Sequence, residues 1–221
     1  MSRLVGGAHS DVGQVRSNNQ DAALSDPAWS VYAVADGMGG HRGGEVASAL
    51  ALSTLSRQLR GIAPAGRSLE SVETLVDSVL GANEAVFAEA RTNHELHGMG
   101  TTLCAVALVG APGAEQVAIV NVGDSRVYLL RDGELEQLTE DHSLVQSLVR
   151  DGQLTADEAA VHPQRNILTR VIGVEPDVEV DWWERPAVPG DRYLLCSDGL
   201  FNEVTDARIA ATLRQLADPT E

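Results

Sequence analysis

Three stretches of the chain run from apolar residues into an aspartate beside a glycine: Val34-Ala35-Asp36-Gly37, Asn121-Val122-Gly123-Asp124 and Cys196-Ser197-Asp198-Gly199. Aspartate and glycine dominate turns for plain backbone reasons. Asp132-Gly133 and Asp151-Gly152 read as such turns, one inside a hairpin and one at a helix end. Asp36 and Asp198 stand in a different context. Gly37-Met38-Gly39-Gly40 is too glycine-rich for a simple hairpin, and Gly199-Leu200-Phe201-Asn202 is not a return strand. Strand ends that deliver carboxylates to one place suit hard, oxygen-preferring cations such as Mg2+ or Mn2+, and the D-x-D-x-D-G spacing of a calcium loop is absent. Arg16, in the polar stretch Ser10 to Asp21, offers a second chemistry. Beside a carboxylate cluster, a guanidinium can clamp a phosphate with two parallel hydrogen bonds.

Composition removes other chemistries. Acidic residues number 32 against 16 basic ones, the net charge is −16, and every basic residue is an arginine. Without lysine the chain cannot be a Walker-type NTPase, a protein kinase or a Schiff-base enzyme. So acidic a surface is also a poor match for nucleic acid, whose binding is mostly cationic. Gly110 and Asn202 stand where a cysteine-dependent phosphatase would place its arginine after Cys104 or Cys196. No G-x-S-x-G elbow occurs. His94 and His97 read as a solvated helix end without the further ligands zinc needs. The two cysteines lie far apart in apolar runs, as reduced thiols of a cytoplasmic protein do. No apolar run approaches the ~20 residues of a membrane helix, and Met1 to Gly13 lacks a leader pattern. No membrane contact is expected from these residues; an anchor beyond Glu221 is left open.

The elements that must position these residues alternate in blocks. Trp29 to Ala35 predicts a strand, Glu45 to Leu59 a helix, and Ser68 to Arg91 a longer helix capped by Ser68. Thr101 to Val109 and Gln116 to Val122 predict two strands joined at Gly110-Ala111-Pro112-Gly113. Arg126 to Arg131 and Glu134 to Leu138 form a second hairpin through Asp132-Gly133. From His142 to about Ala160 the chain is helical, stopped at Gly152 and restarted by a Thr155/Glu158 capping box. Tyr193 to Cys196 is a short strand and Thr205 to Leu216 a helix. Such blocks argue for antiparallel sheet in an α+β arrangement rather than βαβ units. At 221 residues, a single domain is expected over 1–221.

Together these segments resemble the metal-dependent serine/threonine protein phosphatases of type 2C, the PPM family, in their bacterial form. The matches are Ser10-Asp11, Gly13, Arg16 and Asn19-Gln20-Asp21; Ala35-Asp36-Gly37-Met38-Gly39-Gly40-His41; Gly98-Met99-Gly100-Thr101-Thr102; Asn121-Val122-Gly123-Asp124-Ser125-Arg126; Leu168-Thr169-Arg170-Val171-Ile172-Gly173; and Cys196-Ser197-Asp198-Gly199-Leu200. They fall in family order across nearly the whole chain. The resemblance implies two packed antiparallel sheets with helices outside, and phosphoserine/phosphothreonine hydrolysis in proteins by water bridging two Mn2+ or Mg2+ ions. Asp36 matches the carboxylate that bridges the metals, the Gly37 carbonyl and Asp198 match further ligands, and Asp124 matches a residue that helps hold a third, weaker metal. Arg16 matches the phosphate-binding arginine, and Asp21 an acidic residue that holds metal-bound water. His142 to Arg170 resembles the flap beside the cleft. Phosphorylated proteins, including a serine/threonine kinase, are the implied partners.

The sequence departs from the pattern in places. Met38 stands where animal relatives have a histidine proposed as general acid, His41 is shifted from that position, and Gln20 replaces a glutamate of some relatives. The family closes with an Asp-Asn pair and a strand, and neither Asp206 nor Asp218 has that context. The expectation is a fragment lacking that C-terminal strand, with a pseudophosphatase or phosphoprotein-binding module as the alternative function.

Overall fold

The computed structural model describes residues 2–14, 16–39, 43–216 and 218–219. Its larger sheet runs β1 (Asp21–Asp26), β2 (Val31–Met38), β4 (Leu103–Val109), β5 (Gln116–Val122) and β8 (Asp181–Pro186), with the short β3 (Gly100–Thr101) also on β2. The second sheet has the order β7 (Glu134–Gln137), β6 (Arg126–Arg131), β9 (Arg192–Cys196). Every pairing between strands is antiparallel. Helices α1 (Gly43–Ile62) and α2 (Val72–Thr92) cover the larger sheet; α5 (Asp198–Phe201) and α6 (Asp206–Gln215) lie against the smaller one. The α+β fold of two antiparallel sheets flanked by helices is therefore present.

Side-chain alternation explains the layers. On β4, Leu103, Ala105, Ala107 and Val109 face the helices, while Cys104, Val106 and Leu108 face the second sheet. Both faces of this central strand are buried, so it reads as an unbroken apolar run. The helix layer is closed by Ala47, Ala51, Leu55 and Leu59 of α1 and Leu75, Val79, Ala82 and Val86 of α2, at the three- and four-residue spacing of one helical face. Val127, Leu129, Tyr193 and Leu195 close the core between the sheets.

Several boundaries differ from expectation. Ser68 caps nothing: Leu69 is drawn to the sheet, its N–H donating to the Leu108 carbonyl (2.9 Å) and its carbonyl accepting from Gly110 (2.9 Å). The helix starts instead at Val72. The expected strand Thr101 to Val109 is broken at Thr102, and β1 and β8 lie where no strand was expected. The Thr155/Glu158 capping box forms at the start of α4 (Ala156–Ala160), after α3 (Leu144–Arg150). Asp132 and Gly133 adopt φ 52° and 86°, the left-handed pair of a two-residue hairpin.

Candidate metal centre

Asp36 sits near the end of β2, half-buried, directly opposite Asp21 of β1. Gly37 follows because nothing larger fits: a Cβ there would lie 2.0 Å from the Gly44 carbonyl oxygen and 2.7 Å from that of Gln20. The absent side chain lets the start of α1 close onto the strand. Asp21 accepts a hydrogen bond from the Ser197 hydroxyl (2.7 Å), which ties β1 to the residue before Asp198. Asp198 opens α5 and accepts from the Asn202 side chain (3.2 Å).

Asp124 follows β5 after Gly123, whose φ is 106°. A Cβ on Gly123 would meet Thr102 Cγ2 at 2.6 Å. The Gly123 carbonyl accepts from Asn121 Nδ2 (3.1 Å) and from the His142 N–H (2.9 Å), and its own N–H donates to His142 Nδ1 (3.1 Å). With Nδ1 accepting, the ring proton is assigned to Nε2, which faces Asp181 at 3.1 Å. Arg170 pairs with the same Asp181. Both ends of the segment His142 to Arg170 are thus anchored near the Asp124 turn.

Beyond this turn Arg126 forks onto Asp141, with contacts of 2.9, 3.1 and 2.7 Å, and its guanidinium lies 3.7 Å from the centroid of the Phe201 ring. Phe201 is the last residue of α5, so the stack holds the helix that carries Asp198. Burial works against the Arg126 charge, but the hydrogen bonds and charge of Asp141 raise its pKa.

Electrostatics report the crowding. Burial pushes the Asp36 carboxyl up to about 8, with further upward push from Asp21, Asp198 and Asp124. Burial also pushes Asp124 up to about 7, helped by Asp198 and Asp141 and opposed by Arg126. Four carboxylates from four separate stretches therefore share one field. Among the described residues no three His, Cys, Asp or Glu side chains are drawn tightly enough to form a ready-made cation site. Burial and like charge raise the cost of ionising these carboxylates, and a divalent cation between them would relieve it. An all-oxygen donor set of this kind fits Mg2+ or Mn2+.

Not every expected residue joins the cluster. Arg16 is exposed, and no carboxylate among the described residues pairs with it. Met38 is half-buried next to Gly37 and, as a thioether, has no proton to give. Gly40, His41 and Arg42 lie outside the described residues, so the expectation for His41 falls there. His94 and His97 are both exposed, at a 3-10 turn. The roles of Asn121, Arg126, Asp141, His142 and Phe201 had no sequence signal of their own; Asn121 and Arg126 stood in a matched motif, but their contacts are made across the fold.

The family model described as protein phosphatase 2C matches residues 5–221, and the chain belongs to that family. It is 43% identical over 207 residues to the serine/threonine protein phosphatase PstP of Mycobacterium tuberculosis, an alignment that takes in 94% of this chain and 38% of that protein. It is 42% identical over 208 residues to the serine/threonine phosphatase stp of Listeria innocua, covering 92% of this chain and 81% of the relative. Among solved structures it is similar to the catalytic domain of the serine/threonine protein phosphatase PstP in complex with two manganese ions, with a TM-score of 0.81, 40% identity, and coverage of 96% of this chain and 84% of that one. The chain thus spans well under half the length of the mycobacterial relative and most of the Listeria one.

Proposed function

We propose that this chain hydrolyses phosphoserine and phosphothreonine in proteins, with two Mn2+ or Mg2+ ions held by Asp36, the Gly37 carbonyl and Asp198, and a third, weaker one helped by Asp124. The observation that carries the reading is the gathering of Asp21, Asp36, Asp124 and Asp198 at one end of the sheets, where burial and like charge together hold Asp36 near pKa 8. Divalent cations bound there supply Lewis acidity and lower the pKa of bound water towards neutrality. The chain's own residues do the rest. Asp21, fixed by Ser197 and directly opposite Asp36, would hold the water at the cations. Arg16, exposed and paired with no carboxylate among the described residues, is available to take a phosphoryl group in two parallel hydrogen bonds. With no lysine and no accessible cysteine the chain offers no phosphoenzyme nucleophile of those types.

Residues 1–221 act in this reading as a single catalytic domain, with His142 to Arg170 as the flap that bears on substrate choice. The substrates are phosphorylated proteins, a serine/threonine kinase among them, and not nucleic acid. Buried, unbridged Cys104 and Cys196 suit a reducing compartment, which supports a cytoplasmic location. No helix among the described residues is long and apolar enough to cross a membrane.

A second reading is a phosphoprotein-binding module without turnover, favoured by the lack of a closed ligand set among the described residues. One experiment separates them. Under saturating Mn2+ the protein should cleave p-nitrophenyl phosphate, and Asp36→Asn or Asp198→Asn should remove at least roughly a hundredfold of kcat. Arg16→Ala should raise KM about tenfold or more with a smaller change in kcat. Absence of turnover at saturating Mn2+ would favour the binding module, and unchanged kinetics in Arg16→Ala would refute its clamp role.

A further inference from the structure

Gly98-Met99-Gly100-Thr101-Thr102 matches the family pattern, yet none of its residues belongs to the carboxylate cluster. The structure places its two threonines against the backbone of Asp36. Thr101 Oγ1 donates to the Asp36 carbonyl (2.9 Å), and the Thr102 N–H donates to the same carbonyl (2.9 Å). The Asp36 N–H donates to Thr102 Oγ1 (2.9 Å). Both polar backbone groups of Asp36 are thereby fixed by this pair. Thr102 Oγ1 also lies 2.7 Å from the hydroxyl of Ser125, the residue after Asp124. Because Thr102 Oγ1 already accepts from Asp36, its own proton is available to Ser125.

Thr102 and Ser125 are 1% and 0% exposed, so water has little access to this bond. The strands that carry the two aspartates are not neighbours; β4 lies between β2 and β5. Thr102 lies at the break between β3 and β4 and bonds to both carriers. We propose that Thr102 and Ser125 are positioning residues that join the carriers of Asp36 and Asp124 into one unit, so that cations held through these two aspartates bind with coupled affinity. The proposal rests on the reading of Asp36 and Asp124 as cation ligands.

The test is calorimetric Mn2+ titration of the intact protein, with thermal melts alongside. Ser125→Ala keeps the acceptor of the Asp36 N–H and removes only the bridge. It should weaken Mn2+ binding roughly tenfold, the scale typical of groups that orient metal ligands. Thr102→Val should do the same, the double variant should be no weaker than the weaker single, and Thr102→Ser should restore near wild-type affinity. A lowered melting temperature with unchanged Mn2+ affinity in Ser125→Ala would overturn the proposal, as would losses that multiply in the double variant. If Thr102→Val does not fold, Ser125→Ala decides alone. Failure of the underlying reading has its own signature: Mn2+ affinity of the parent protein that does not respond to Asp36→Asn or Asp124→Asn.

Discussion

At Asp36, burial and three neighbouring carboxylates all oppose ionisation, yet the cation-ligand role proposed for it requires the ionised form. The folded pKa of about 8 lies above the ordinary value of 3.8, so the stability this group contributes is full below about pH 4 and is lost as pH rises through 8. Asp124, raised to about 7, acts in the same direction over a slightly lower window. Asp181 opposes them. Despite its own burial, its bonds to His142 and Arg170 lower its pKa, so its contribution is lost only as pH falls towards that pKa. Metal-free protein should therefore lose stability between about pH 5 and about pH 8. In a chelator-containing buffer, Asp36→Asn should raise the melting temperature at about pH 8, by the equivalent of roughly 1–2 kcal/mol, while abolishing Mn2+-dependent turnover. A variant that melts below the parent at that pH would contradict the electrostatic account.

Among the elements, the turn from β5 to β6 carries the densest set of constraints. Gly123 needs φ 106° and has Thr102 where a Cβ would go, while His142 and Asn121 hold its amide and carbonyl. Gly133, in the next turn, also has positive φ, but its Cβ would meet only Arg214 Nε at 3.9 Å. Gly133→Ala should cost only the backbone penalty, about 1–2 kcal/mol. Gly123→Ala adds a clash against buried side chains and should cost about 3–5 kcal/mol in urea unfolding. Similar losses at both positions would show that the Thr102 contact yields cheaply. The same elements explain what was legible in the sequence. Central strand β4, buried on both faces, gave an unbroken apolar run, β5 one interrupted at Asn121, and helices α1 and α2 gave clean stripes. Edge strands β1 (DAALSD) and β8 (DWWERP) are half-exposed and carry charge, so neither alternation nor an apolar run marked them. Asp36, Asp124 and Asp198 were readable because each adjoins a glycine near a strand end, whereas Asp21 was reached only through the family resemblance. The clamps around them were not: Ser197 reaches Asp21 across 176 residues and Thr102 holds the Asp36 N–H across 66, separations that no local pattern encodes.

For the whole molecule, the acid excess acts at two ranges. Most of the 32 acidic side chains are solvated and keep the chain soluble at a net charge of −16. The few at the ends of β1, β2 and β5 and the start of α5 are concentrated where water is partly excluded, and there repulsion is least screened. A ligand that binds only the folded form stabilises it by RT ln(1 + [L]/Kd), about 2.7 kcal/mol at a hundredfold excess over Kd. For a chain of this size that corresponds to a rise of roughly 5–10 °C in melting temperature. Mn2+ should produce such a rise near neutral pH, Asp36→Asn should remove most of it, and raising NaCl alone should not reproduce it, because screening acts on the scattered surface charges more than on the partly buried four. The comparison also separates the two functional readings. A catalytic centre requires the Mn2+-dependent rise and Mn2+-dependent cleavage to fall together in Asp36→Asn and Asp198→Asn. A binding module would bind phosphopeptide with neither the rise nor turnover.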